Sequence, residues 1–327
     1  MDKGPRLTIC SVYHSPETKE FLELNWELVS RLNSAKDWIW TVMDNTPSDS
    51  RITVDEKKFI VYKGLDIEFL RDVFSWPEVV SFHHSMAINY LLRRARSRFV
   101  MLLDNDFFIV YPEWINSILE HMIKNDLGIF GATYHPQYYK KYRYFPACNC
   151  TFIDSTKIDL ATVDFTQQFL VHRFLKMAGA KDRKELNDSL SPASSWERLF
   201  RKIVKFLGAA TKRTKIGYLK DTGYLLYKRF YGRTEVKYET LQAVFRPDMK
   251  SRSSLIDSFF PDRWSYIPKK KDYYATIGFR EKGLFDFSNN GFEEHMWQGK
   301  PFAVHVRRVW KRKDIPECTE ILKKTIL

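Results

Sequence analysis

The stretch that most constrains this chain is Phe99–Leu103 (FVMLL), followed directly by Asp104, Asn105 and Asp106. Five consecutive apolar residues leave no side for solvent, so they read as a strand covered on both faces. The acids that follow mark where that strand leaves the core. Two further runs share this character: residues 7–12 (LTICSV) and 38–43 (WIWTVM). The second is stopped by Asp44, Asn45, Thr46 and Pro47.

Amphipathic helices separate these runs. Ser15, Pro16 and Glu17 supply an N-cap, a first-position proline and a first-turn acid. Phe21, Leu24, Leu28 and Leu32 then share one face, and Ile88, Leu91, Leu92 and Ala95 repeat the pattern. Residues 114–124 form another such helix, with Ile115, Ile118, Leu119 and Met122, and residues 127–132 close the run as a short strand. The alternation predicts an α/β fold: a mostly parallel, mixed sheet flanked by helices. Ligands of such sheets bind beyond the carboxyl ends of the strands, where Asp44, Asp104 and Asp106 fall.

After about Pro146 the regularity gives way to short strands, aromatic clusters and a basic helical block. A boundary near residue 155 divides the chain into 1–155 and a second region, 156–327, expected to pack onto the first sheet. With 44% hydrophobic and 16% aromatic residues the chain is neither disordered nor a disulfide miniprotein. No apolar run approaches the roughly 18 residues that span a bilayer, and the N-terminus lacks a signal-peptide shape. A soluble cytoplasmic protein is expected. Cys10, Cys148, Cys150 and Cys318 are expected to be buried, reduced thiols, because the Cys148/Cys150 pair has no second pair at zinc spacing.

The net charge is +13, of which residues 170–233 carry +11 from 16 Lys/Arg and 5 Asp/Glu. One basic segment argues for a local anionic surface and against a nucleic-acid partner. Within it Trp196, Leu199, Phe200, Ile203, Val204 and Leu207 form a stripe, with Arg198, Arg201, Lys202 and Lys205 beside and opposite. That is the composition of a helix lying on an anionic membrane, here the cytoplasmic face.

Asp104 and Asp106, two apart on an extended segment, point the same way. Paired hard oxygens suit Mg²⁺ or Mn²⁺, which bind through one or two carboxylates plus substrate phosphates.

Four segments in order, LTICSVYHSP, WTVMDNTPSD, HHSMAINYLLRRA and RFVMLLDNDFF, resemble the donor half of a family 2 glycosyltransferase of GT-A fold. The resemblance covers about the first 155 residues. It implies that Asp44 recognises the nucleotide of a sugar-nucleotide donor, that Asp106 ligates the metal, and that Asp104 lies near the ribose and metal. Residues 145–153 (FPACNCTFI) resemble the strand near the acceptor. Residues 220–225 (KDTGYL) resemble the family's acidic motif at the head of a helix, with Asp221 as the base; Lys220 stands where an acid is usual. Asp221 could equally be a helix cap.

The resemblance also implies a late histidine returning to the metal and basic residues over the diphosphate. His305, in the strand pattern PFAVHVRR, is the candidate ligand, with His295 as second choice; Arg307 and Arg308 are the candidate phosphate contacts. Glu293, Glu294 and Asp248 are alternative bases. The function implied is inverting, metal-dependent sugar transfer to a lipid-linked or polysaccharide acceptor. A sugar-nucleotide nucleotidyltransferase is the alternative enzyme, though residues 12–19 (VYHSPETK) hold no phosphate-loop glycine. A basic nucleic-acid-binding protein is the alternative from another class, and strand-end carboxylates argue against it.

Overall fold

A computed structural model describes residues 4–46, 53–64, 77–136, 141–166, 222–246, 267–306 and 315–326. The basic helix expected over 195–207, together with Asp221, Asp248, Arg307 and Arg308, lies outside the described residues.

Strand β1 (Leu7–Tyr13) leads into helix α1 (Pro16–Leu32) through a reciprocal cap. Ser15 N donates to Thr18 Oγ1 at 2.9 Å, while Thr18 N donates to Ser15 Oγ at 3.4 Å. Strands β2 (Trp38–Asp44) and β3 (Ile60–Lys63) follow, then helix α2 (Pro77–Arg94) and strand β4 (Phe99–Leu103). All four strands are parallel, in the order β3-β2-β1-β4. The chain moves outward from β1 to β3 and returns on the other side as β4. The gap between the ends of β1 and β4 is therefore a topological switch point, the place where open α/β sheets hold ligands.

The remaining strands continue the same sheet. They are β5 (Phe107–Ile109), β6 (Ile129–Thr133), β7 (Pro146–Asp154), β8 (Tyr238–Val244), β9 (Tyr274–Ala275), β10 (Phe292–Trp297) and β11 (Lys300–Val306). Helix α3 (Trp114–Lys124) lies between β5 and β6, α4 (Tyr224–Phe230) precedes β8, and α5 (Ile315–Ile326) ends the described chain. From β4 the order runs β7-β6-β8-β10-β11-β5. Hydrogen bonding thus passes residue 155 without a break. Gly131 permits the β6–β7 approach, because a Cβ there would run into the Cys150 carbonyl.

Five strands separate β4 from β5 in this order, yet residues 104–106 alone connect them. Three residues reach only about 10 Å, so the sheet must curl until its last strand meets the end of its fourth.

Side chains on both faces of β1 and β4 are buried, as their composition requires, whereas the edge strand β3 is partly exposed. Ile9, Met101 and Leu103 pack with Trp114, Ile115 and Ile118 of α3. On the other face Cys10, Val100 and Leu102 meet Ile88, Leu91 and Leu92 of α2. A third cluster joins Phe21, Leu24 and Leu28 of α1 to Phe108, Val304 and Val306, with Cys318 and Leu322 of α5 behind. All four cysteines are buried free thiols, and burial pushes Cys10 and Cys148 up to about 12. No helix among the described residues is long and apolar enough to cross a membrane.

At the far end of β7 the buried Asp154 accepts from Arg98 Nη2 at 2.9 Å and from Thr156 N at 3.0 Å. Burial alone would raise its carboxyl; the Arg98 and Thr156 hydrogen bonds outweigh this and hold it below the ordinary 3.8. A depressed carboxylate stabilises the fold above its unfolded pKa, and that contribution is lost as pH falls through the folded value. The urea midpoint is therefore expected to drop as pH falls below 3.8. Asp154→Asn should flatten this decline while costing about 1–3 kcal/mol at pH 7. An unchanged pH profile in the variant would show that Asp154 carries none of the dependence.

Candidate active site

The site is built around the link from β4 to β5. Asp104 N donates to the Asn149 carbonyl of β7 at 2.9 Å, and Phe107 N donates to the Asp104 carbonyl at 3.0 Å. Asn105 turns inward: its Nδ2 donates to the Val12 carbonyl of β1 at 2.9 Å, and its own carbonyl accepts from Asn25 Nδ2 of α1 at 2.8 Å. The Asp106 carbonyl accepts from Val306 N of β11 at 2.8 Å. Strands β1, β7 and β11 and helix α1 thus fix three consecutive residues. With the middle one buried, the two carboxylates are left at the surface of the crevice, 27% and 19% exposed.

Each carboxylate meets a histidine. His84 Nε2 of α2 lies 3.4 Å from Asp104 Oδ1, and His305 Nε2 of β11 lies 3.5 Å from Asp106 Oδ1. The other nitrogen of His305, Nδ1, is 2.9 Å from Glu293 Oε2 of β10. This follows from register: Glu293 pairs with His305, and His305 with Phe107, across β10, β11 and β5. Burial alone would lower the His305 pKa, but the Asp106 and Glu293 carboxylates more than offset it and raise it to about 10. The two carboxylates thus favour the protonated form of His305. A divalent ion taking Nε2 would replace that proton.

His295 sits one row further in, fully buried, its ring 5.0 Å from that of Phe107. Burial lowers its pKa to about 3, and neither ring nitrogen has a hydrogen-bond partner among the described residues. Glu294 points to the opposite face, where it accepts from Phe279 N at 2.8 Å and Ser288 N at 3.0 Å and staples the loop before β10. That backbone role turns it away from the crevice.

Asp44 ends β2 opposite Tyr13 at the end of β1. Its Oδ1 accepts from Thr46 N at 2.9 Å and Thr46 Oγ1 at 2.5 Å. Burial and the Asp44 carboxylate together push the Tyr13 phenol well above its ordinary value. On the other side of the crevice the Thr222 carbonyl accepts from Tyr134 Oη at 3.5 Å and Tyr142 Oη at 3.4 Å. Tyr134 Oη is also 3.5 Å from Cys148 Sγ, next to Asn149 on β7. Gly223, with φ 84°, caps α4; a Cβ there would stand 2.5 Å from Tyr142 Oη. Thr222 follows Asp221 directly in sequence, although Asp221 itself is outside the described residues.

The structure therefore gathers Asp104, Asp106 and His305, with Asp44 on the rim of the same parallel quartet. His84, Asn105 and Asn25 were not anticipated as site residues. His84 had a readable signal: it lies four residues before Ile88, continuing the apolar stripe of α2 toward the strand ends. Asn105 and Asn25 had none, because their partners are backbone carbonyls far away in sequence.

No protein-family model matches the chain, and no curated protein matches it. Among solved structures it overlaps a mannosyltransferase from Pyrobaculum calidifontis in complex with GDP-Man and Mn²⁺, at 10% identity and TM-score 0.34, covering 58% of this chain and 53% of that one. It overlaps the galactosyltransferase LgtC with donor and acceptor sugar analogues at 10% identity and TM-score 0.34, covering 56% and 70%. A TarS fragment from S. aureus in complex with UDP gives 9% identity and TM-score 0.33, covering 56% and 54%. The chain thus spans about half the length of the mannosyltransferase and the TarS fragment. Overlaps this loose fix neither a family nor an activity.

Asn105→Ala removes the side-chain bond that ties the link to β1. It is expected to lower unfolding free energy by about 1–3 kcal/mol, read from urea denaturation. Combined with Asn25→Ala the loss should be less than additive, since both residues hold the same link. Full additivity would mean that the two hydrogen bonds act independently.

Proposed function

We propose that this chain is a glycosyltransferase of GT-A fold that moves a sugar from a nucleotide-sugar donor to a glycan or lipid-linked glycan acceptor, with inversion. The observation that carries this is the meeting of Asp106 with His305 at the switch point of a parallel sheet, with Glu293 behind the histidine and Asp104 beside His84 two residues before Asp106. The residues fit a divalent cation such as Mn²⁺ or Mg²⁺. Asp106 offers a hard oxygen, His305 Nε2 faces it, and Glu293 orients the ring by its other nitrogen, the arrangement typical of metal-ligating histidines. When bound there, the ion supplies neutralisation of the charge that develops on the departing diphosphate.

The chain's own residues do the rest. Asp44 and Asp104 bind the nucleoside portion, and Arg307 and Arg308, directly after β11, contact the diphosphate. Asp221 takes the proton of the acceptor hydroxyl as that oxygen attacks the anomeric carbon from the face opposite the nucleotide. The anomeric carbon's bond to the diphosphate oxygen breaks, and the diphosphate leaves with the electron pair. A positioned base of this kind contributes about 10²–10⁴-fold. The hydroxyls of Tyr134 and Tyr142 hold the carbonyl of Thr222, the next residue in sequence. Attachment to an anionic membrane through the basic segment would bring lipid-linked acceptors to this crevice.

Asp106→Asn is expected to abolish Mn²⁺-dependent binding of nucleoside diphosphates while leaving the circular dichroism spectrum unchanged. Calorimetry with UDP and GDP, with and without Mn²⁺, reads this directly. Metal-dependent binding that survives in the variant would remove Asp106 from the site.

For the base, Asp221→Asn should lower turnover by about 10²-fold or more with donor affinity nearly unchanged. Turnover close to that of the parent would pass the role to another acid.

A further inference from the structure

The buried row behind the crevice carries a second donor set. Glu293, His295 and His305 each place one ligating atom within 4.8 Å of the others, and all three are buried. His295 is the informative member. It is 0% exposed, and neither Nδ1 nor Nε2 has a hydrogen-bond partner among the described residues. A neutral imidazole always carries one N–H donor and one lone pair, so leaving both unmet is a standing cost that a bound ligand would relieve. The cross-strand neighbours of His295 are the small residues Ala243 on β8 and Ala303 on β11. Two small side chains therefore flank the ring on its own face of the sheet, with Phe107 closing the apolar wall.

We infer that Glu293, His295 and His305 form a divalent metal site that takes a first-row transition ion of the Zn²⁺ or Co²⁺ kind when no nucleotide is present. Two imidazoles and one carboxylate are a zinc-type donor set; Mg²⁺ prefers an octahedron of oxygens and keeps its waters. Without a nucleotide, Asp104 and Asp106 lack the phosphate oxygens that complete a carboxylate-based site, whereas this inner set supplies three protein donors by itself. His305 belongs to both sets, with Nδ1 toward Glu293 and Nε2 toward Asp106. The inner ion would also tie β10 to β11 beside the link between β4 and β5. The inference shares His305 with the proposed function but does not require nucleotide or sugar binding.

The test uses the full chain after treatment with a chelator, with no nucleotide added. Calorimetric titration with ZnCl₂, CoCl₂ and MgCl₂ is expected to show Zn²⁺ and Co²⁺ binding, a Co²⁺ absorption band in the visible, and no Mg²⁺ binding. Zn²⁺ should also raise the thermal midpoint. His295→Leu should weaken Zn²⁺ binding by at least about 10-fold, whereas Asp104→Asn should leave it within about threefold. Should His295→Leu fail to fold, Glu293→Gln reads the same loss. Equal Zn²⁺ affinity in the parent and either inner variant would overturn the inference, as would no Zn²⁺ binding at all, or binding lost only with Asp104→Asn. Mn²⁺-dependent nucleotide binding that persists beside any of these results leaves the transferase reading standing. Zn²⁺ binding without any nucleotide binding would do the reverse.

Discussion

Everything in this structure hangs on the three-residue link between β4 and β5. One end lies at β4, the last strand of the parallel quartet, and the other at the last strand of the sheet. So short a span forces the sheet to curl, and the curl brings β11 and β10 against the switch point. The middle residue, Asn105, spends its side chain on β1 and its carbonyl on α1. Its neighbours are left with backbone hydrogen bonds to β7 and β11 and carboxylates in the crevice. The same constraint closes the fold and assembles the site.

Strand alternation then divides the labour of β10. Glu293, His295 and Trp297 face one side, and Phe292, Glu294 and Met296 the other. Glu293 orients His305 toward Asp106, whereas Glu294, one residue on, accepts two backbone N–H groups and fixes a loop. Two adjacent glutamates therefore do unrelated work for a purely geometric reason. The electrostatics of the two histidines diverge on the same basis. The two carboxylates beside His305 raise its pKa, whereas complete burial lowers that of His295 despite the nearby Glu293.

Adjacent residues in sequence thus have separate roles, and distant residues share one. His84, Asp104, Asp106, Glu293 and His305 come from α2, the β4–β5 link, β10 and β11. No local pattern joins them. A run such as FEEHMW gives no sign of which glutamate will meet His305, because that depends on its register with β11.

The sequence alone determined the elements whose identity depends on local composition. Phe99–Leu103 is a strand because five apolar side chains leave it no wet face, and α1 begins where Ser15, Pro16 and Glu17 signal its start. The strand-end positions of Asp44, Asp104 and Asp106 follow from the same reading, since an acid directly after an apolar run marks where that run leaves the core. Short β5 and β3 were not legible: three or four residues carry too little periodicity, and they are strands only because neighbours supply the ladder. Glu293 meets His305 across consecutive strands, 12 residues apart in sequence, whereas the meeting of His305 with Asp106 was decided by tertiary structure alone. The pairing of β11 with β5 is set by hydrogen bonding between segments nearly two hundred residues apart, and a sequence read along its length contains no distance between them.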